Sequence, residues 1–393
     1  MGRFLDDIPY SGIARIRDMM YAVKDPYRLD QGDVCFEAPE SVKKAIIRAL
    51  NEGHTHYLQT NGLPQLRLLL TQKMRHRNRI PVDNPEEVLV TNGGIHGLYL
   101  LFQALLEPGD EVLVPDPIWP PAWTIITTAQ GVPVGYPLYE ERRWRFDPAE
   151  VASLLTPRTR ALYINTPSNP TGGVLTRQDL EFLAALAREH DLWVISDEAY
   201  EDVLFDDAEH VSVASMERMH ERTVSLFSFS KSYAVTGLRL GYLAVANERL
   251  RERMTKLLFL TTANVSSIAQ YGAAGALLGS QAVLEEFRVI LNRRRDLFYS
   301  EIGEASAGVL GGQPPLATFY AFVRIAPGWT PEKPAESRSW AMAEMLIERG
   351  RIGCIPGADF GPHGEGYIRF CFARERAELA DALTSMRRVF GRE

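Results

Sequence analysis

Four short segments of this chain carry side chains able to do chemistry, and each follows an apolar, strand-like run. After the run 223–229 comes Ser230-Lys231-Ser232, then Thr236-Gly237-Leu238-Arg239. A lysine at the mouth of a buried strand loses hydration, and a desolvated amine has a lowered pKa that suits Schiff-base chemistry. A snorkelling surface lysine is the ordinary alternative. Arg239 can hold a phosphate through two nitrogens at once. After 192–195 comes Ser196-Asp197-Glu198-Ala199-Tyr200. A carboxylate there either needs a cationic partner or caps a helix. Tyr200, about one helical turn on, points into the same region.

After 161–164, the dense turn Asn165-Thr-Pro-Ser-Asn169-Pro-Thr-Gly-Gly fixes a polar Asn169 at a strand end. After 88–90, Thr91-Asn92-Gly93-Gly94-Ile95-His96-Gly97 opens a helix. Glycines at a helix N-terminus let backbone N–H groups approach a phosphate, which the helix dipole also favours. Neither a P-loop nor a Gly-x-Gly-x-x-Gly motif is present, so a plain strand-to-helix turn stays open. Trp119, without context, reads as a core aromatic. His54 and His56 stand just before Tyr57 with no further ligand nearby, which favours loop or cap roles over a metal site.

The elements that must position these residues alternate between strand and helix from about residue 87 to 243. Apolar runs at 88–90, 112–114, 161–164, 192–195, 223–229 and 240–245 read as strands. Residues 97–106 read as a helix, as does a segment that starts near Thr176-x-x-Asp179, close to a capping box. It ends near His190 and buries Leu180, Leu183, Ala184, Leu186 and Ala187. Such alternation predicts an α/β fold with a mostly parallel sheet covered on both faces, ligands binding at the carboxyl ends of its strands. The last third changes character. Helices at 282–299, 339–349 and 376–389 surround short strands at 319–323 and 367–372, which reads as a smaller α+β domain joined by the N-terminal arm.

The length of 393 residues suggests two or three domains at ~150 residues each. Hydrophobic residues make up 46% and charged residues 24%, a globular balance that excludes a disordered or collagenous chain. The net charge of −7 argues against a nucleic-acid binder. Cys35, Cys354 and Cys371 are far apart and odd in number, so they read as reduced thiols. The N-terminus is charged within six residues and lacks a signal-peptide core. Residues 257–284 carry no charge but many polar groups, too many for a membrane span; they read as helices buried in protein, at a subunit interface. A cytoplasmic enzyme is the leading class.

Taken together, these motifs resemble the fold-type-I pyridoxal-phosphate enzymes, in particular class I aminotransferases of the aspartate and aromatic type. The resemblance runs nearly end to end. It covers Ser11-Gly-Ile13, Gln31-Gly32-Asp, Tyr57-x4-Gly62-x4-Arg67, Gly93-Gly94 and Pro115-Asp-Pro-Ile-Trp119. It continues through Asn169-Pro-Thr-Gly, Ser196-Asp197-Glu-Ala-Tyr200, Ser228-Phe-Ser-Lys231 with Arg239-Leu-Gly-Tyr, and Tyr367-Ile-Arg369-Phe.

The resemblance implies a large domain with a mostly parallel seven-stranded sheet sandwiched by helices, spanning 46–284. The smaller α+β domain is then built from both chain ends, 1–45 and 285–393. It implies that Lys231 forms the internal aldimine and moves the proton, and that Asp197 keeps the pyridine nitrogen protonated. Asn169 and Tyr200 would bind the ring hydroxyl, and Trp119 would stack on the ring. Gly93, Gly94, Ile95, Ser228 and Arg239 would cup the phosphate. Tyr57 from a neighbouring subunit would complete the cup, which implies a homodimer. Arg369 would take the substrate α-carboxylate beside Gly32.

Two departures bear on the substrate. Where aspartate-preferring relatives have a lysine after the glycine pair, this chain has Ile95, and Ile13 replaces a threonine of their arm. An aliphatic residue cannot pair with a distal carboxylate. Both changes point to a neutral or aromatic amino acid as donor and a 2-oxo acid such as 2-oxoglutarate as acceptor, in a ping-pong reaction. A β-lyase, decarboxylase or amino-acid oxidase on the same scaffold stays open. So, more remotely, does a non-enzymatic regulator, which would carry an N-terminal DNA-binding domain.

Overall fold

The computed structural model describes residues 6, 8 and 10–391. Most of the N-terminal stretch read above for targeting signals lies outside them. Seven strands form the larger sheet: β1 (Val88–Thr91), β2 (Glu111–Asp116), β3 (Val132–Pro137), β4 (Thr159–Asn165), β5 (Trp193–Asp197), β6 (Thr223–Ser228) and β7 (Gly241–Val245). Their order is β1-β7-β6-β5-β4-β2-β3. Only β7 runs against its neighbours, so the other six present their carboxyl ends along one edge. The inner strands are buried on both faces, which is why they read as continuous apolar runs. β3 escapes that pattern. It is an edge strand, half exposed, and Pro133, Gly135 and Pro137 are tolerated there because an edge needs fewer ladder donors.

The capping box read in the sequence is present. Thr176 Oγ1 accepts from the Asp179 amide at 3.2 Å, and Asp179 Oδ2 accepts from the Thr176 amide at 2.8 Å. The helix Arg177–Glu189 buries the five apolar residues expected of it. The helix expected over 97–106 instead spans Gly94–Leu105, because the glycine pair itself supplies its first turn. The uncharged stretch forms the end of one helix (Glu248–Thr262) and all of another (Ser267–Leu278). The second packs on the helix Glu40–Asn51 so closely that a Cβ on Gly275 would stand 2.6 Å from the Ser41 carbonyl.

A second, antiparallel sheet comes from the C-terminal third: β8 (Leu310–Gly311), β9 (Tyr320–Ile325), β10 (Ile355–Pro356) and β11 (Tyr367–Cys371), in the order β10-β11-β9-β8. The chain start joins it: the Leu29 carbonyl accepts from the Cys371 amide at 2.7 Å, and Tyr27 bridges to Ile352. Two hydrophobic cores result. One lies on a single face of the large sheet; the other fills the opposite face and continues into the small sheet. Among the described residues no helix is long and apolar enough to cross a membrane.

Candidate active site

A cavity of about 200 Å³ opens at the carboxyl edge of the large sheet. Its wall is assembled strand end by strand end. Gly94, Ile95 and Leu98 follow β1, Trp119 follows β2, and Asn165 and Asn169 close β4. Asp197 ends β5, with Ala199 and Tyr200 just beyond it, and Ser228, Ser230 and Lys231 follow β6. Thr236 and Arg239 come from the loop before β7.

Lys231 sits in the short helix Phe229–Ser232, deep enough that burial pulls its ammonium down to about 8. Asp33 pulls the other way, and Arg369 and Arg239 add to the lowering. Its Nζ donates to the Gly32 carbonyl and lies 5.7 Å from the centre of the Phe319 ring. Asp197 is 6% exposed, and burial pushes its carboxyl up to about 6. Two donors oppose that rise: the Tyr163 hydroxyl at 2.7 Å from Oδ2 and the Ala199 amide at 3.2 Å from Oδ1. No cation pairs with this carboxylate among the described residues.

Gly93 takes φ +79°, a left-handed conformation that glycine adopts freely. A Cβ there would stand 2.5 Å from the Arg239 guanidinium, so the glycine lets the arginine lie against the start of the helix Gly94–Leu105. Arg239 is itself left-handed at φ +54° and donates to the Thr236 carbonyl at 2.7 Å. Two helix starts, a serine hydroxyl at 228 and a guanidinium thus face one end of the cavity.

Arg369 on β11 is 2% exposed and lies behind the cavity wall, touching it through Asn169. It donates to Asn169 Oδ1 at 3.2 Å and to the Asp30 carbonyl at 2.9 Å, while its Nε has no partner. The Tyr200 and Tyr320 hydroxyls share a hydrogen bond of 2.9 Å, and burial raises both phenols, Tyr320 to about 12.

Not every residue singled out in the sequence lies on this wall. Tyr57 is 89% exposed and far from covered by its own chain. Ile13 packs against the core that runs into the small sheet. Ile95 lines the cavity while remaining 41% exposed. His54 stacks on Tyr271 at 4.4 Å and pairs with Glu52, as a cap residue would. Sequence reasoning passed over Asn165, Tyr163 and Tyr320. The first two stand inside segments read as a turn and a strand, and Tyr320 within an apolar strand 120 residues from its partner. It also passed over the group Glu198, Glu201 and His210. Lys73 and Asn78 already hydrogen-bond Glu201 there, and Ser212 and His210 share Glu198 Oε2, so the buried Lys73 ammonium serves as the cluster's cation.

A lysine amine of lowered pKa, a buried carboxylate with no cation beside it among the described residues, and a glycine-opened helix start beside a guanidinium thus meet at the edge of this sheet. Residues 24–386 match the family model for aminotransferase class I and II. The chain is 36% identical to the aspartate aminotransferase of Pyrococcus abyssi, over 98% of this chain and 97% of that protein. It is 34% identical to aromatic-amino-acid aminotransferase 2 of Thermococcus litoralis, with the same coverage. The structure of the Thermus thermophilus aspartate aminotransferase with maleate superposes with a TM-score of 0.91 at 34% identity, covering 99% of both chains. The chain therefore belongs to the class I and II aminotransferases, which are transaminases dependent on pyridoxal phosphate.

Proposed function

We propose that this transaminase takes nitrogen from a neutral or aromatic amino acid and passes it to a 2-oxo acid such as 2-oxoglutarate, the two substrates using one site in turn. The observation that carries this reading is the cavity wall beside the glycine pair, where Ile95, Leu98 and Trp119 offer apolar surface to a substrate side chain. The relatives do not decide the matter, since they include both aspartate and aromatic enzymes.

Three features support placing the cofactor in this cavity. Asp197 is a buried carboxylate lacking the cation that a pyridinium would supply. The glycine-lined start of the helix Gly94–Leu105, with Ser228 and Arg239, suits a phosphate, and Tyr57 of a second subunit would close that cup. Burial lowers Lys231 to about 8, so a larger share of its amine is in the neutral, nucleophilic form at physiological pH than for an ordinary lysine. When bound, pyridoxal phosphate supplies an aldehyde that accepts the amino group and a ring that withdraws electrons as the Cα proton leaves.

The chain's own residues do the rest. Lys231 would hold the cofactor through its amine and, with that amine free, would take the proton at Cα as a base. Asp197 holds the ring-nitrogen proton. Asn169 and Tyr200 bind the ring hydroxyl, with Tyr320 orienting Tyr200. Trp119 gives the ring an aromatic wall. Arg369 grips the substrate α-carboxylate beside the Gly32 backbone, and Ile13 on the arm helix borders the side chain.

We further propose a cytoplasmic homodimer, with residues 46–284 as the cofactor domain and 1–45 with 285–393 as the small domain. The three cysteines are unpaired. Tyr57, Phe259, Leu260 and Leu278 are each more than half exposed, a cost in water that a partner would remove.

A donor panel followed as a half-reaction tests the function. Aromatic and aliphatic amino acids should convert the bound cofactor to its amine form and release a 2-oxo acid, with higher kcat/KM than aspartate. Aspartate winning by about tenfold would sink the substrate reading. Pyruvate with free ammonia would mark a lyase.

A further inference from the structure

Tyr163 stands on β4 in the run Ala161-Leu162-Tyr163-Ile164, wholly inside the protein at 0% exposure. A buried phenol is stable only with a hydrogen-bond partner. Its partner is Asp197 Oδ2, 2.7 Å away across the parallel pair β4–β5. Side chains alternate along a strand, so residues 163 and 165 share a face. Asn165 Nδ2 reaches the Asp197 backbone carbonyl at 3.3 Å, so β4 grips both the side chain and the main chain of Asp197. On the other side, the Ala199 amide holds Oδ1. The carboxylate plane is pinned through both oxygens, and each keeps a lone pair free.

We infer that Tyr163 is a positioning residue for Asp197: its hydroxyl fixes the carboxylate's orientation toward the cavity and keeps it ionised for the ring nitrogen. The inference rests on the reading above that Asp197 meets that nitrogen. Physically, the phenol replaces part of the hydration that burial removes. A hydroxyl donating to an anion forms one of the stronger hydrogen bonds in proteins, and it favours the charged form. The titratable groups facing Asp197 are Tyr163 on β4 and, on its own loop, Glu198 and Tyr200. Glu198 works against ionisation, so Tyr163 is the side chain that opposes the burial.

Binding of pyridoxal 5′-phosphate to the full chain, followed by cofactor absorbance from pH 5 to 8.5, tests this. A protonated Asp197 cannot pair with a pyridinium, so native affinity should fall as pH drops through about 6. Tyr163→Phe should move that midpoint up by about one pH unit, a roughly tenfold tighter hold on the proton. Tyr136→Phe is the control. Its hydroxyl, on a side chain that is also buried, donates to the Tyr163 carbonyl at 3.2 Å and leaves Asp197 alone, so the midpoint should stay. If Tyr163→Phe leaves the midpoint in place, or Tyr136→Phe moves it as far, the inference is overturned. Asp197→Asn should abolish the step; a step that survives it would instead overturn the role given to Asp197. Circular dichroism reports folding, and Tyr163→Met, which also lacks the donor, replaces the Phe variant if that one unfolds.

Discussion

Replacing Arg369 by lysine keeps the charge and removes the fork, which makes it a sharp probe of the α-carboxylate assignment. The guanidinium is nearly sealed from water, yet its two acceptors are neutral oxygens, the Asn169 amide and the Asp30 carbonyl. It is flanked by aromatic faces, Tyr320 at 4.4 Å and Phe360 at 5.1 Å from ring centre. A buried cation held only by neutral oxygens favours an incoming anion strongly. Lysine in its place can offer the substrate one hydrogen bond rather than two. One charge-assisted hydrogen bond contributes about 1.5–3 kcal/mol. That corresponds to a fall in kcat/KM of about 10- to 150-fold.

The assay is the donor half-reaction at several substrate concentrations, run for an aromatic amino acid and for the amine that lacks its carboxylate. With the amino acid, KM should carry most of the loss, because the carboxylate contact is present in ground and transition states alike. With the amine, native enzyme and variant should be slow and nearly equal. Equal loss for both substrates, or a loss below about threefold for the amino acid, would refute the reasoning.

Lys231→Ala should abolish the visible absorbance that depends on the cofactor's attachment and cut turnover by about 10³-fold or more, checked by spectrum and rate. In the native chain, cofactor attachment should speed up as pH rises through about 8, since burial holds the lysine's pKa there and the neutral amine is the reactive form; a rate flat between pH 7 and 9 would contradict this. Sedimentation should give twice the chain mass of 44.1 kDa. Tyr57→Phe should weaken cofactor binding by about tenfold without dissociating the dimer, whereas unchanged affinity would remove Tyr57 from the phosphate cup.

Much of the cavity was legible in the sequence because a parallel sheet converts chain order into spatial order. An apolar run that breaks abruptly into polar residues, as at Asp197 or Ser228, marks a strand end, and the strand ends share one edge. What stayed illegible depends on contacts between distant segments. Tyr320 looked like any aromatic on an apolar strand until β9 brought it to Tyr200. Tyr163 sat inside a run whose neighbours are all core, and only the parallel register sets its hydroxyl against Asp197. β3 was missed for a local reason, since two prolines and a glycine in six residues argue against a strand anywhere but at an edge.

The charges left unpaired inside the chain define the ligand more narrowly than the cavity's shape does. Among the described residues Asp197 has two hydrogen-bond donors and no cation, and Arg369 has two acceptors and no paired anion. The buried ion pair Lys73–Glu201 shows that the same fold neutralises a buried charge within the chain where no ligand is needed. At Asp197 and Arg369 neutral hydrogen-bond partners offset only part of the desolvation cost, and a bound group of opposite charge would offset more of it. The group must be cationic where it meets Asp197 and anionic where it meets Arg369. A protonated pyridine ring and an amino-acid carboxylate satisfy both conditions, with Lys231 lining the same cavity.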